Sequence, residues 1–214
     1  MIIQAFPSGP FQTNAYVIGC PVTRDAAIVD PAPDSAEVIL EFLQHNKLKA
    51  KQILLTHSHW DHISDIAALK ASMPLTVSVH SSDKDNLQKP GSDQLPYWIP
   101  FAGIQADRLL EDGDAIEVGN IHFRVIHTPG HSPGSVCFYC DKEHVLISGD
   151  TLFKGTIGNL TFPTSIPEAM WPSLDKLAAL PHKTKVYPGH GPSTTIGAEE
   201  WLPKAKEYFE NESL

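Results

Sequence analysis

The chain has 214 residues, 42% of them hydrophobic and 19% charged, a globular balance with enough apolar mass for a full core. Sixteen Lys and Arg against 25 Asp and Glu give a net charge of −9, and the bases do not cluster, which excludes an electrostatic footprint for nucleic acid or anionic lipid. Three cysteines cannot form a disulfide framework, residues 1–10 lack a basic-then-apolar leader pattern, and no run reaches the ~18 apolar residues of a membrane span.

Residues 2–6, 15–18 and 26–29 read as strands, and their close spacing predicts an antiparallel meander, because parallel neighbours need longer crossovers. Asp34 or Ser35 caps a helix to about His45, with Val38, Ile39, Phe42 and Leu43 on its buried face. Residues 52–55 form a continuous apolar strand, expected at a sheet centre, that runs into Thr56-His57-Ser58-His59-Trp60-Asp61-His62. A second helix to about Met73 and a strand at 75–79 follow. Residues 90–103 hold three Pro, two Gly and the aromatics Tyr97, Trp98 and Phe101, a long irregular loop of the kind that usually serves function. Short strands are predicted at 108–110, 115–118, 121–126, 135–139 and 145–148. A helix at 166–180, a strand at 185–187 and an amphipathic helix at 198–210 close the chain. Two strand-rich halves with helices between them predict an α/β sandwich: two sheets face to face, with helices outside. No composition shift marks a boundary, so one domain over residues 1–214 is expected, cytoplasmic, with a monomer favoured.

Eleven histidines carry the functional signal. His57 and His59, two apart in an extended turn at a strand end, point to one side and can hold one ion. Asp61 and His62 stand at the start of the next helix and can face a neighbouring ion. Three imidazoles and a carboxylate packed so closely repel once protonated and gain nothing without a cation. His131 in Pro129-Gly130-His131-Ser132-Pro133-Gly134, Asp150 in Ser148-Gly149-Asp150-Thr151 and His190 in Pro188-Gly189-His190-Gly191-Pro192 repeat the pattern. Each lies beside a strand end, flanked by Gly or Pro that fixes a turn and admits close backbone approach. Singly these are ordinary loop residues; with the first cluster they complete two ligand shells.

Other residues read differently. Cys137 and Cys140 are three apart in a strand, so they face opposite sides and form no thiol pair. His80 follows a strand on the expected site edge and reads either as a surface turn or as a support for the ligands. His45, His122, His127, His144 and His182 have no motif context. Trp60 reads as sheet packing or pocket lining, and core packing and substrate contact are evenly matched for Tyr97, Trp98 and Phe101.

These motifs, in this order and across essentially the whole chain, resemble the metallo-β-lactamase superfamily. The resemblance implies an αββα sandwich of two mixed sheets with a metal site at one edge. It implies a first metal on His57, His59 and His131, a second on Asp61, His62 and His190, and Asp150 shared by both. Asp61 in place of a cysteine resembles the hydrolase branch rather than antibiotic-degrading lactamases. The runs around Asp150 and His190 look most like glyoxalase II-related proteins, in a short form without their C-terminal helical domain.

Two divalent ions, zinc in the first instance with iron or manganese as alternatives, would leave a positive centre that activates water near neutral pH. Asp61 or Asp150 would orient that water against a small-molecule thioester such as S-lactoylglutathione, so no Ser or Cys nucleophile is needed. Persulfide dioxygenases are similar too, and imply a mononuclear iron oxidoreductase using His57, His131 and Asp150. The superfamily's nucleases conflict with the charge of −9. One departure stands out: where glyoxalase II-like proteins carry Gly-Arg or Gly-Lys near the thiol substrate, this chain has Gly158-Asn159, with Thr161 in place of a common Asp. Asn159 and Trp98 are therefore the candidate substrate contacts, with relaxed glutathione recognition expected.

Overall fold

The computed structural model describes residues 1–97 and 99–211. The first sheet holds β1 (Ile2–Ser8), β2 (Thr13–Gly19), β3 (Asp25–Val29), β4 (Lys49–Leu54), β5 (Thr76–His80) and β6 (Arg108–Leu110), in that spatial order. The β1–β2–β3 meander is antiparallel, and β3 to β6 pair in parallel. The second sheet is built from β7 (Ala115–Val118), β8 (Ile121–His127), β9 (Val136–Cys140) and β10 (Val145–Gly149). After a small hairpin of β11 (Leu152–Phe153) and β12 (Thr156–Ile157), it is completed by β13 (Lys185–Pro188) and β14 (Thr194–Thr195). Its order is β14-β13-β10-β9-β8-β7, with β10 and β13 parallel. The chain thus forms the α/β sandwich of two mixed sheets, with β4 inside the first sheet.

Strand alternation builds the layers. Tyr16, Ile18, Ala27, Val29 and Leu54 of the first sheet meet Val125, Val136, Phe138 and Ile147 of the second between the sheets. The alternate residues Val17, Ile28 and Ile53 face outward and are covered by Ile39 and Leu43 of α1 (Ala36–His45) and by Ile66 and Leu69. On the far side, Met170, Leu174 and Leu177, at helical spacing on α5 (Pro167–Ala178), cover Cys137, Tyr139 and Leu146. Cys137 and Cys140 therefore lie in different layers, both buried and unpaired as disulfides. Among the described residues, no helix is long and apolar enough to cross a membrane.

Three expectations are corrected. The predicted helix to Met73 is divided into α2 (Trp60–Ile63) and α3 (Ile66–Ser72). The break is fixed by tertiary bonds: Asp65 N donates to Pro31 O at 3.1 Å, and Asp65 Oδ2 accepts from Ala36 N at 2.8 Å. The predicted closing helix over 198–210 is also broken, into 3₁₀ turns at Ile196–Ala198 and Leu202–Lys204 and a short α6 (Ala205–Asn211). Glu199 is pulled inward, non-helical, to accept hydrogen bonds from Gly155 N, Thr194 Oγ1 and Trp201 Nε1, and that anchoring outweighs the periodicity. A short α4 (Lys84–Gln88), the β11–β12 hairpin and β14 are additional to the predicted elements.

Candidate metal centre

The chain ends of β4, β10 and β13 and the β8–β9 turn converge at one edge of the sandwich. There the structure brings together all seven histidine and aspartate residues picked out by the motifs. His57, His59 and His131 form one group, His57, His62 and Asp150 a second, and Asp61, His62 and His190 a third. Within each group, one ligand atom per residue lies within 4.8 Å of the others. Asp150 Oδ2 lies 3.5 Å from His131 Nε2 and 3.3 Å from His190 Nε2, while Oδ1 lies 3.5 Å from His62 Nε2. Asp150 thus touches both halves of the cluster.

The outer ring nitrogens show how the imidazoles are aimed. Thr56 Oγ1 spends its single proton on Asp30 Oδ2 at 2.6 Å, so at its 3.1 Å contact with His57 Nδ1 it accepts. His62 Nδ1 donates to Asp30 Oδ2 at 3.0 Å, His131 Nδ1 to Asn159 O at 2.8 Å, and His190 Nδ1 to Phe11 O at 3.1 Å. With Nδ1 engaged, each Nε2 lone pair faces the cluster, the arrangement found behind metal-bound histidines. The Nε2 atoms of His57, His59, His62 and His131, and Oδ1 of Asp150, are buried without a hydrogen-bond partner. Buried polar atoms in such number are costly unless something satisfies them, and a cation does so at once. The donor set therefore fits divalent metal.

Electrostatics divides the site. Burial, then the neighbouring His62, His59, His131 and His190 rings, hold His57 well below the ordinary imidazole range. Burial and His131 likewise lower His59 to about 3, so His57 and His59 offer neutral imidazoles. Burial also opposes charge on His62, but Asp61, Asp150 and Asp30 outweigh it and raise the ring to about 9. Asp150 is lowered to about 2, since His62 and His190 overcome the effect of burial. The second side is rich in paired carboxylates, a hard-donor environment beside a nitrogen-rich one.

Several supports carry no motif of their own. Asp30, with φ of 48°, ties His62 to Thr56, accepting from Thr56 N at 2.8 Å as well. A strand-end Asp followed by Pro was its only signal. Thr13 Oγ1 donates to Asp61 Oδ2 at 2.7 Å, and Asn14 and Tyr16 donate side-chain hydrogen bonds to Pro188 O. Asp83 accepts from Ser58 N, Ser132 Oγ and Gly134 N, linking the two loops that carry the first trio. Glycines admit the close approaches: a Cβ on Gly158 would overlap Asp150 O and crowd His131 Nδ1, and one on Gly189 would overlap Asp150 Oδ1.

Among the residues outside the motifs, His80 is not a surface turn. It is buried, stacks on His127 at 3.9 Å between ring centroids, and accepts from Ser82 N. Tyr97 and Phe101 meet at 5.4 Å between centroids, with Phe101 packed against the first core layer. The 90–103 loop reaches the site through Leu95 and Pro96. Trp98 lies outside the described residues. Asn159 does line the pocket, yet its side chain is turned to Thr161, whose N and Oγ1 both donate to Oδ1 at 2.8 Å. Trp60 lines the pocket and contacts Phe11 at 5.4 Å between centroids.

This sandwich, with its His and Asp cluster at one edge, is shared with solved proteins. The BLEG-1 B3 metallo-beta-lactamase superposes with a TM-score of 0.86 at 38% identity, over 94% of this chain and 99% of that one. TTHA1623 in a di-iron-bound form gives 0.80 at 37% identity, over 92% and 96%. A hydroxyacylglutathione hydrolase of Ectopseudomonas mendocina is 33% identical over 189 residues, 88% of this chain and 65% of that protein. Residues 8–190 match the metallo-beta-lactamase superfamily, and the chain belongs to it.

Proposed function

We propose that this protein is a dinuclear metal-dependent hydrolase of acyl thioesters, of the hydroxyacylglutathione-hydrolase type but with relaxed glutathione recognition. The observation that carries the reading is the pair of ligand trios that Asp150 touches together, with their orphaned Nε2 atoms and carboxylates beside one pocket. His57, His59 and His131 would hold one divalent ion, Asp61, His62 and His190 the other, and Asp150 both. Zinc is the first candidate; the di-iron neighbour keeps iron beside it, and manganese shares the same ligand preferences. When bound, such ions supply Lewis acidity toward the acyl oxygen and activation of water as nucleophile.

The chain's own groups do the rest. Asp61, fixed through Oδ2 by Thr13, and Asp150 orient the attacking water by accepting a hydrogen bond from it. The ring of Phe162 packs 5.4 Å from that of His59 and 5.5 Å from that of His131, excluding bulk water from that side. Among the described residues, no Ser, Cys, Lys or Tyr lines the pocket. Hydroxyl, thiol and amine side chains that could act as nucleophile or acid are thus lacking there, and the titratable groups that remain are the Asp and His of the cluster itself, engaged as ligands in this reading. A thiolate, whose conjugate acid has a pKa near ~8.5, departs without protonation, whereas an amine or alkoxide does not. That favours a thioester, and the relative named for hydroxyacylglutathione hydrolysis supports it.

Elemental analysis of the purified protein, run with a panel of thioesters, a β-lactam and glutathione persulfide under an oxygen electrode, tests the reading. Two equivalents of metal and thioester turnover are expected. One equivalent of iron with oxygen uptake on the persulfide would replace the reading with a dioxygenase.

A further inference from the structure

The pocket beside the cluster has a cavity volume of about 420 Å³. Its walls are apolar: Phe11, Trp60 and Phe153 on three different segments, Phe162 after β12, and Leu95 and Pro96 from the 90–103 loop. Phe162 stands against the first trio, as its contacts with His59 and His131 show. Phe153 stands against the second, 5.9 Å from His190 between centroids, and Phe11 gives its carbonyl to the same histidine. Apolar surface therefore flanks the cluster at both ends, where the acyl group and the leaving thiol must lie. Among the described residues, no Lys or Arg lines the pocket, and its fixed charges apart from the histidines are Asp61 and Asp150. Asn159 is the single neutral amide there, with its oxygen already taken by Thr161.

We infer that the substrate is a small, uncharged thioester, apolar on both its acyl and its thiol side. This rests on the thioesterase reading and narrows it. Two consequences follow from the chemistry of the walls. An anionic thiol such as glutathione finds no Lys or Arg among the described lining residues, and the loss of one charge-assisted hydrogen bond is at least about tenfold in affinity. Each methylene buried against the aromatic walls improves binding of the acyl chain about fourfold, until the cavity is filled.

The test uses the full-length, metal-loaded protein and two probe series. The first crosses acetyl, butanoyl and hexanoyl groups with two thiols, neutral N-acetylcysteamine and anionic glutathione. The second is a set of alkyl hydroxamates from two to eight carbons, metal-directed ligands whose binding is read by calorimetry without any turnover. For the same acyl group, kcat/KM is expected to be at least about tenfold higher on the neutral thiol, and to rise about fourfold per methylene. Hydroxamate Kd should fall along its series, and Phe162→Ala should flatten both trends with metal content retained. The wild-type series decide the matter alone if that variant does not fold. Turnover with no chain-length trend, or with glutathione esters preferred, overturns the inference and leaves the thioesterase reading standing. No thioester turnover, with hydroxamate affinity still climbing with length, overturns the thioesterase reading and leaves an apolar site for another substrate. Flat hydroxamate affinity and no turnover overturn both.

Discussion

The main-chain carbonyl of Asn159 accepts a hydrogen bond from His131 Nδ1 at 2.8 Å, so this residue aims a candidate ligand through its backbone and not its side chain. The adjacent Gly158 is where a side chain cannot be tolerated, because a Cβ there would meet Asp150 O and His131 Nδ1. Asn159→Ala should therefore keep the metal content of the wild type. Gly158→Ala should lower metal affinity about 10–100-fold, the usual cost of disturbing an outer partner of a ligand. Equilibrium dialysis against metal distinguishes the two, and equal effects would refute the backbone role. Asn159→Arg would add the missing cation at the pocket, worth about 1.5–3 kcal/mol to a glutathione ester, seen as a selectively lower KM.

Asp150 should be the least replaceable residue of the cluster. Its two oxygens approach His62, His131 and His190, so its loss opens both trios together. Asp150→Ala is expected to reduce hydrolysis by more than about a hundredfold, beyond what losing an outer-shell partner does, and to release metal. Near-normal turnover with full occupancy would remove it from the centre.

How much of this was readable in advance depends on whether a residue acts through local or distant geometry. Val17 and Ile18, or Cys137 and Cys140, declare opposite faces by period alone, and the layered sandwich follows from such pairs. The ligands were legible for a similar reason: each stands at a strand end, in a turn shaped by neighbouring Gly or Pro. Asp83 was not legible, because Ser81-Ser82-Asp83-Lys84 carries no motif, and its role arises only where the turn packs on the His131 loop. The closing helix misled because its amphipathic period is real, while the Glu199 anchor that breaks it joins Gly155 and Thr194 from elsewhere in the chain. Asn159 was rightly drawn to the pocket by a missing cation, but its carbonyl role has no trace in residue type.

The Cys137 thiol should be silent. It is buried beneath α5, touching Thr128 Oγ1 and Ser148 O, and burial pushes it up to about 11. Thiol reagents at pH 8 should leave it unmodified in the folded protein, since the thiolate is the reactive form. Cys137→Ser should retain the metal stoichiometry. Loss of metal in that variant would mean the outer layer of the second sheet contributes to the centre.

Asp83 offers the sharpest test of how the first trio is held. Its Oδ2 accepts from Ser58 N at 2.8 Å and Ser132 Oγ at 3.0 Å, and its Oδ1 accepts from Gly134 N at 2.6 Å. Ser58 lies between His57 and His59, and Ser132 follows His131, so one buried carboxylate sets the distance between the two loops. The second trio owes nothing to these bonds: Asp61 is fixed by Thr13, His62 by Asp30 and His190 by Phe11. Asp83→Asn would turn an amide against one of the donors and leave it unsatisfied, while keeping size and fold. The expected result is a titration in which one metal equivalent weakens about 10–100-fold and the other holds its affinity. Equal weakening of both equivalents would show that the two trios behave as one unit, and unchanged binding would show that the loops hold their spacing without Asp83.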